Sequence, residues 1–376
     1  MIDKLVLRCA FTDQLMTKIE SLNIPMEASI DVDGEVIDLR HAWERIPSSY
    51  APMAFKVFDF RDSAKEGEVF VEIKASPAKL MQGHNIFGSD DLRSCALSLI
   101  ELLADTYPLC FSELNQKTWE VVEADITYFS RLTDQREVHQ FINALQNVSS
   151  GQTKSRTGYS GTAYFGKKNS RLKSIKVYDK QGEVTEYLKK LQKQGDTNDL
   201  IKCYTPELIE FTKGMVRWEV TLKKRWFERR KIPTKLTRLI HQFNPITYWT
   251  EATKDIFKSL EGEEMRIIKD DQVKEKLRTK YPTINKKTNN ITYGKADSIY
   301  RTYRTIKSEG WQEALNSMSR ATFYKHVNFI VDIGISKIYL QNLKGDGLVC
   351  EVIPFVRFLE VKFEQQFPEN YQPVAA

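Results

Sequence analysis

A chain of 376 residues with a net charge of +6 is long enough for two or three domains. Its 41% hydrophobic and 28% charged residues are ordinary for a globular protein with an apolar core, and no run of about 18 apolar residues marks a membrane span. Five scattered cysteines (Cys9, Cys95, Cys110, Cys203, Cys350) form no CxxC pair, which argues against a disulfide framework or zinc ribbon and fits a reducing compartment.

In chain order, residues 3–11 read as a strand rather than a signal peptide, and a helix is expected over 12–21. Strand-like stretches recur at 27–37, 54–60 and 68–74. In the last of these Val69, Val71 and Ile73 share one face, and Phe70, Glu72 and Lys74 the other. A turn or short helix at 76–79 leads through Gln82-Gly83-His84-Asn85 to an amphipathic helix over about 90–105, capped by Ser89 or Asp90. Residues 121–129 alternate again, with Glu123, Asp125 and Thr127 on one face, and a helix follows over 134–147. The Ser/Gly/Thr-rich stretch 149–161 reads as a loop.

Two short strands joined by a basic turn are expected within 162–180. Ile175 and Val177 face a core there, and Lys176, Tyr178 and Lys180 the opposite side. A polar helix over 183–194 precedes a strand at 215–222, where Arg217, Glu219 and Thr221 oppose Val216, Trp218, Val220 and Leu222. Beyond Lys231 the pattern turns helical, with helices at about 234–243 and 250–260. Two more, at 310–316 and 320–333, are joined by Ser317-Met318-Ser319. The second has an apolar stripe of Phe323, Val327, Ile330 and Val331, a Ser319 cap, and Arg320, Thr322, Lys325 and His326 near its start. That pattern suits a helix-turn-helix reading helix and an ordinary helical hairpin equally.

These elements predict an α+β fold: a mixed, largely antiparallel sheet with helices on one face, followed by a mainly helical DNA-binding region. The expected domains are 1–231 (catalytic), 232–275 (helical connector) and 276–376 (helix-turn-helix-like). Cutting the chain near Lys231 is expected to leave the catalytic fold intact.

Basic residues are segregated along the chain. From Val138 to Tyr178 there are seven Lys/Arg and no acid, and six of the nine residues from Lys223 to Lys231 are basic. From Lys276 to Lys307 nine are basic against one acid, Asp297. Such segregation is the footprint of a polyanion partner. Four strands each place one chemical group opposite their apolar face: Glu72, Asp125, Tyr178 and Glu219. A tyrosine beside lysines, with hard oxygen ligands for Mg²⁺ or Mn²⁺, suits nucleophilic attack on phosphate. No Walker, HExxH, GxSxG or GxGxxG motif competes.

The segments MIDKLVLRCAF, AFKVFDF, VEIKASPAKLMQGHNIFG, NVSSGQTKS, VYDK, GMVRWEVTLKKR and VIPFVRFLEVKF together resemble the gene II-type replication initiators of filamentous bacteriophages, from Met1 to about Phe363. The YxGx…VYDKxxE and RWE segments are also similar to plasmid initiators of the Rep-trans type. The resemblance implies a site- and strand-specific nicking-closing enzyme in the host bacterial cytoplasm. It would start and end rolling-circle replication of the double-stranded replicative form through a covalent 5′-phosphotyrosine. Implied partners are the supercoiled origin, the displaced single strand, and host helicase and polymerase, with no membrane and with oligomerisation on DNA. The implied nucleophile is Tyr178, and Lys180 beside it reads as a phosphate clamp rather than a solvated lysine. Asp125 and Glu219, with Glu72 and His84, are the implied ligands of Mg²⁺ or Mn²⁺. None of the five histidines forms the HxH pair of the wider tyrosine-nickase superfamily, which makes a mostly carboxylate site the expectation. Expected DNA contacts are Lys154, Arg156, Lys167, Lys168, Arg171, Lys173, Lys176, Arg217, Arg320 and Lys325. A non-enzymatic origin-binding protein or repressor, and a metal-dependent endonuclease without a covalent intermediate, are the alternatives.

Overall fold

A computed structural model describes the chain except residues 13–23, 25, 60–68, 147–148, 151–152, 158–160, 168, 196–199, 261–269, 285–288, 344–360, 370 and 372–376. The helix expected over 12–21 lies almost wholly outside the described residues. β1 (Ile2–Ala10) is followed by the hairpin β2 (Met26–Ile30) and β3 (Val36–His41), then β4 (Glu44–Ile46), β5 (Met53–Asp59) and β6 (Val69–Ala75). The single strand expected at 27–37 is thus two, reversed through Asp31 to Glu35. The Asp31 side chain accepts from the backbone of Asp33 and Glu35 at that turn.

α1 (Pro77–Gln82) starts on Pro77, where a missing N–H costs nothing, and ends at Gly83 in the left-handed region (φ 78°). A Cβ on Gly83 would fall 2.6 Å from the Cys203 sulfur, so the site loop after α1 depends on this glycine. α2 (Leu92–Thr106) is capped by Asp91, which accepts from Arg93 and Ser94, not by Ser89 or Asp90. Asp90 instead accepts from the Tyr128 hydroxyl and pairs with the Met1 amino group. α3 (Pro108–Ser112) leads to the long strand β7 (Glu120–Arg131) and to α4 (Gln135–Gln146).

The stretch expected to be a loop contains paired backbone, β8 (Ser149–Ser150) and β9 (Thr153–Thr157), which extends the sheet. Ser/Thr composition does not prevent edge pairing, because ladder hydrogen bonds come from the backbone. β10 (Thr162–Phe165) and β11 (Lys173–Asp179) follow, then α5 (Lys180–Lys193), α6 (Pro206–Phe211), β12 (Met215–Lys223) and α7 (Lys224–Arg229). The order β4-β5-β6-β1-β7-β12-β11-β10-β9-β8 is antiparallel at every described pairing, so no parallel pair makes the sheet mixed.

One face of the sheet is mainly apolar. Leu99 and Leu103 of α2 close it over Leu5, Val71 and Ile73, while Phe141 and Ile142 of α4 close it over Val177, Trp218 and Val220. Each such side chain contributes about 1.5–3 kcal/mol on burial, and a one-residue slip would expose a whole row. Register is therefore strongly specified. α8 (Leu236–Leu239) and α9 (Pro245–Leu260) pack on this face through Leu239, Trp249, Ala252 and Ile256, so residues 232–260 are part of the core. A cut near Lys231 would strip that cover, contrary to the expectation of an intact catalytic fold. The opposite face is not bare: Val184 of α5 and Leu208 of α6 pack with Ile86, Phe87, Phe129 and Met215 there.

α10 (Asp270–Lys280), the short hairpin β13 (Thr283–Ile284) and β14 (Ile291–Thr292), α11 (Gly294–Glu309), α12 (Trp311–Asn316), α13 (Arg320–Asp332) and α14 (Lys337–Asn342) follow, and a 3₁₀ turn lies at Phe363–Gln365. The helices share their own core around Tyr303, Phe323 and Val327. Ser319 caps α13, as its position predicts. His326, expected near the exposed start of that helix, is half-buried and bonded to Thr302 at 2.7 Å.

Candidate active site

Residues directly opposite one another in an antiparallel pair project to the same face. Tyr178 lies opposite Arg217, Lys176 opposite Glu219, Thr221 opposite Asp125, Asp125 opposite Lys4, and Arg8 opposite Glu72. Glu72, Asp125, Tyr178 and Glu219 therefore share one face, opposite the apolar layer. A register shift between Ile2 and Lys4 breaks the alternation of β1, and both Asp3 and Lys4 make polar contacts on this face.

Three buried charges and one buried amide form its interior, with the half-exposed Glu183 at its edge. Arg217 is 1% exposed; one guanidinium nitrogen lies 3.3 Å from Asp3 and the other donates to the Ile86 carbonyl at 3.0 Å. Asn85 bridges the cluster: its amide nitrogen donates to Asp3 at 2.9 Å and its carbonyl accepts from Lys180 at 2.9 Å. Lys180, 0% exposed, also pairs with Glu183 at 2.6 Å. It is the first residue of α5 rather than the last of the strand, and its side chain joins the cluster on this face. Gly182 permits that junction, since a Cβ there would meet an Asp179 carboxylate oxygen. Burial, with Arg217 nearby, pushes Lys180 down to about 8. Burial opposes the charge of Asp3, but Arg217, Lys180 and the Asn85 hydrogen bond outweigh it and hold Asp3 below its ordinary value.

Tyr178 is 4% exposed, and the Lys176 ammonium lies 4.0 Å from its ring centre. Burial pushes the phenol well above its ordinary value, with Arg217 opposing. Lys176 sits over the ring and Lys180 is engaged with Asn85 and Glu183, which leaves Arg217 as the principal counterweight.

Asp125 and Glu219 line an open cleft with Asp3, Lys4, Lys79 and Asn85. Lys4 pairs with one Asp125 oxygen at 3.0 Å, while the other is buried without a hydrogen-bond partner. Burial, opposed by Lys4 and aided by Glu219, pushes Asp125 up to about 7; burial and then Asp3 raise Glu219. Two under-neutralised carboxylates and an orphaned buried oxygen are hard donors of the kind a divalent cation accepts. Among the described residues, no three His, Cys, Asp or Glu side chains form a ligating cluster.

The four expected ligands divide. Glu72 is paired with Arg8 at 2.6 Å and is not among the residues lining that cleft. His84 is buried against Phe87 and Tyr204, with Gln82 beside its ring nitrogen. Burial, then Lys180 and Arg217, push it down to about 4. It sits with the cations, not with Asp125.

A second cleft opens on the other side of Tyr178, lined by Lys176, Tyr164, Thr162, Asn143 and His139; His139 lies 3.2 Å from Asp179. Among the expected DNA contacts, Lys167 and Arg171 are exposed at the β10–β11 turn, and Arg320 and Lys325 on α13. Lys173 donates to the Ala252 carbonyl at 2.5 Å, on the helical side. Lys154 and Arg156 lie on β9, Arg156 opposite Tyr164, and Lys168 is outside the described residues. Arg217 is an interior group rather than a surface contact, because the carboxylate and carbonyl it satisfies are both buried. Asp3, Asn85 and Glu183 were missed at the sequence level. The irregularity of β1 hides Asp3, Asn85 reads as a loop residue, and Glu183 as helix decoration.

Residues 1–245 match the N-terminal family, and residues 285–375 the C-terminal family, of the phage replication-associated protein of the gene II type. The chain is 31% identical over 415 residues to the replication-associated protein of that type from Salmonella phage IKe, covering 100% of this chain and 97% of that relative. It is 31% identical over 414 residues to that of Enterobacteria phage M13, covering 100% and 99%. It is 25% identical over 376 residues to that of Enterobacteria phage I2-2, covering 96% of each. No solved structure matches.

Proposed function

The chain belongs to the gene II-type family of phage replication-associated proteins, and from that premise we propose that it is a site- and strand-specific nicking-closing enzyme that acts through Tyr178. The observation that carries this reading is the placement of Tyr178 opposite Arg217 on the face that also bears Asp125 and Glu219.

The Tyr178 oxygen gives up its proton to solvent as it attacks a phosphorus of the plus strand at the origin, the bond to the 3′ oxygen breaks and that oxygen takes up a proton as the free 3′-OH, and the 5′ end remains on tyrosine as a phosphodiester. Arg217 compensates the charge that develops on the phenol oxygen, and its pairing with Asp3 and the Ile86 carbonyl fixes its direction. Lys176 braces the ring while facing the cleft through which a strand would approach. Lys180, held by Asn85 and Glu183, sets the α5 side of the site. Asp125 and Glu219 would hold Mg²⁺ or Mn²⁺, and the bound ion supplies positive charge to the phosphate under attack. The free 3′-OH then primes host polymerase behind a host helicase, and reversal of the same chemistry closes the displaced strand. The exposed cations at Lys167, Arg171, Arg320 and Lys325 supply salt-dependent grip on origin DNA.

Supercoiled plasmid carrying the phage origin, incubated with Mg²⁺, should yield open and relaxed circles together with a denaturant-resistant adduct that mass spectrometry maps to Tyr178. Binding without circles would favour an origin-binding protein. Nicking undiminished in Tyr178→Phe would favour an endonuclease without a covalent intermediate.

A further inference from the structure

We propose that Gln366 is a positioning residue of the active site, and that the described residues 361–369 and Tyr371 complete the catalytic unit rather than belonging only to the C-terminal region. The role in catalysis rests on the nicking reading above; the docking of the segment does not.

β7 outruns its neighbour β1. Their pairing ends at Ile2 opposite Ile126, and the last backbone bonds on that edge join Met1 and Thr127. Beyond that point the Phe129 N–H donates to the Gln366 side-chain oxygen at 2.8 Å, and the Phe129 carbonyl accepts from the Gln366 amide nitrogen at 3.0 Å. A primary amide offers one acceptor and donors on neighbouring atoms, as a peptide group does, so one side chain stands in for a missing strand. Gln366 is 7% exposed, and it also donates to the Lys362 carbonyl at 2.8 Å, which sets its own turn. Phe363 packs edge-on against Tyr128 and Trp249.

Around that clamp the segment grips the site loop. Tyr371 lies 4.4 Å from the Phe87 ring, Phe367 lies 6.1 Å from it, and the two stack on each other at 5.1 Å. Gln366, Phe367, Phe87, Ile86 and Arg217 line one small cavity. Next to Phe87, Ile86 accepts from Arg217, and Asn85 links Asp3 to Lys180. The path from Gln366 to the reacting face is therefore a single clamped strand end and a single loop. Loss of the clamp frees that loop, and small misplacements of a group like Arg217 are costly.

The test uses the full chain with Gln366→Ala, and with Tyr371→Ala as a second variant that leaves the amide clamp in place. We expect kcat for nicking supercoiled origin DNA to fall about 10- to 100-fold in Gln366→Ala with KM little changed, and to fall less in Tyr371→Ala. Hydrogen exchange should quicken at the Phe129 amide and across 83–88 in Gln366→Ala, but not in α11 and α13. A rise in KM at constant kcat, or unaltered exchange across 83–88, would overturn the proposal. Absence of nicking by the wild type would count against the nicking reading alone, since the exchange measurement still decides whether the segment holds the loop.

Discussion

The polar face of the sheet and the helical cluster of residues 270–343 handle charge in opposite ways. On the sheet, Arg217 and Lys180 are 1% and 0% exposed and are matched by Asp3 and Glu183 within one hydrogen-bonded network. In the helical cluster the core is apolar, and the charges lie on the outside: Arg320 and Lys325 are exposed, and the pairs Arg278–Asp297 and Lys280–Asp332 are solvated. Buried pairs contribute little net stability but are expensive to break singly, whereas exposed pairs contribute at most about 1 kcal/mol. Under the proposed nicking function, a protein that aims one nucleophile and also holds a long polyanion would use both arrangements, the buried network for direction and the solvated cations for reach.

That contrast can be broken by substitution, beginning with the largest effect. Tyr178→Phe should lower covalent adduct formation by about 10³-fold or more while leaving origin affinity nearly unchanged, measured by denaturing gel and by filter binding. Equal loss of both would mean that Tyr178 serves binding. Arg217→Met strands Asp3 in the interior and should cost about 3–5 kcal/mol in denaturant unfolding, whereas Arg320→Ala should cost less than about 0.5 kcal/mol. Similar costs at the two positions would erase the distinction drawn above.

Asp125 sharpens the comparison through pH. Its folded pKa of about 7 stands above the unfolded value near ~3.9, so between those limits the native state binds the extra proton. Stability contributed by this group is present at low pH and lost as pH rises through about 7. Asp125→Asn should flatten that decline, and Mg²⁺ or Mn²⁺ should restore stability to the wild type above pH 7 but do little for the variant. An unchanged pH profile in the variant would show that Asp125 is not an under-neutralised group. The smallest effect is expected at Lys325→Ala, which should reduce the salt slope of DNA binding by about 1 without altering nicking at saturating DNA.

Much of the sheet was legible because alternation is a local signal. Val177 and Val220 against Tyr178 and Glu219 sort into faces from the sequence of each strand alone, and Ser319 announces the start of α13 from its own side chain. The paired strands at 149–157 were not legible, since their Ser/Thr composition resembles a loop and the pairing is made by backbone. Lys180 was assigned to the strand, but the strand ends at Asp179 and Lys180 opens α5, from which it still reaches Asn85.

The sequence by itself determined which residues turn away from the core, where positive charge concentrates, and the family to which the chain belongs. Tertiary structure alone decided which of those residues meet. It separated Glu72 and His84 from Asp125 and Glu219, drew Asp3 and Asn85 into the cluster, and buried Arg217. It also brought Gln366 to Phe129. The reason is that a period of two records a residue's side of the sheet but not its neighbour. Neighbours follow from strand order, from one register shift in β1, and from contacts between residues far apart in the chain.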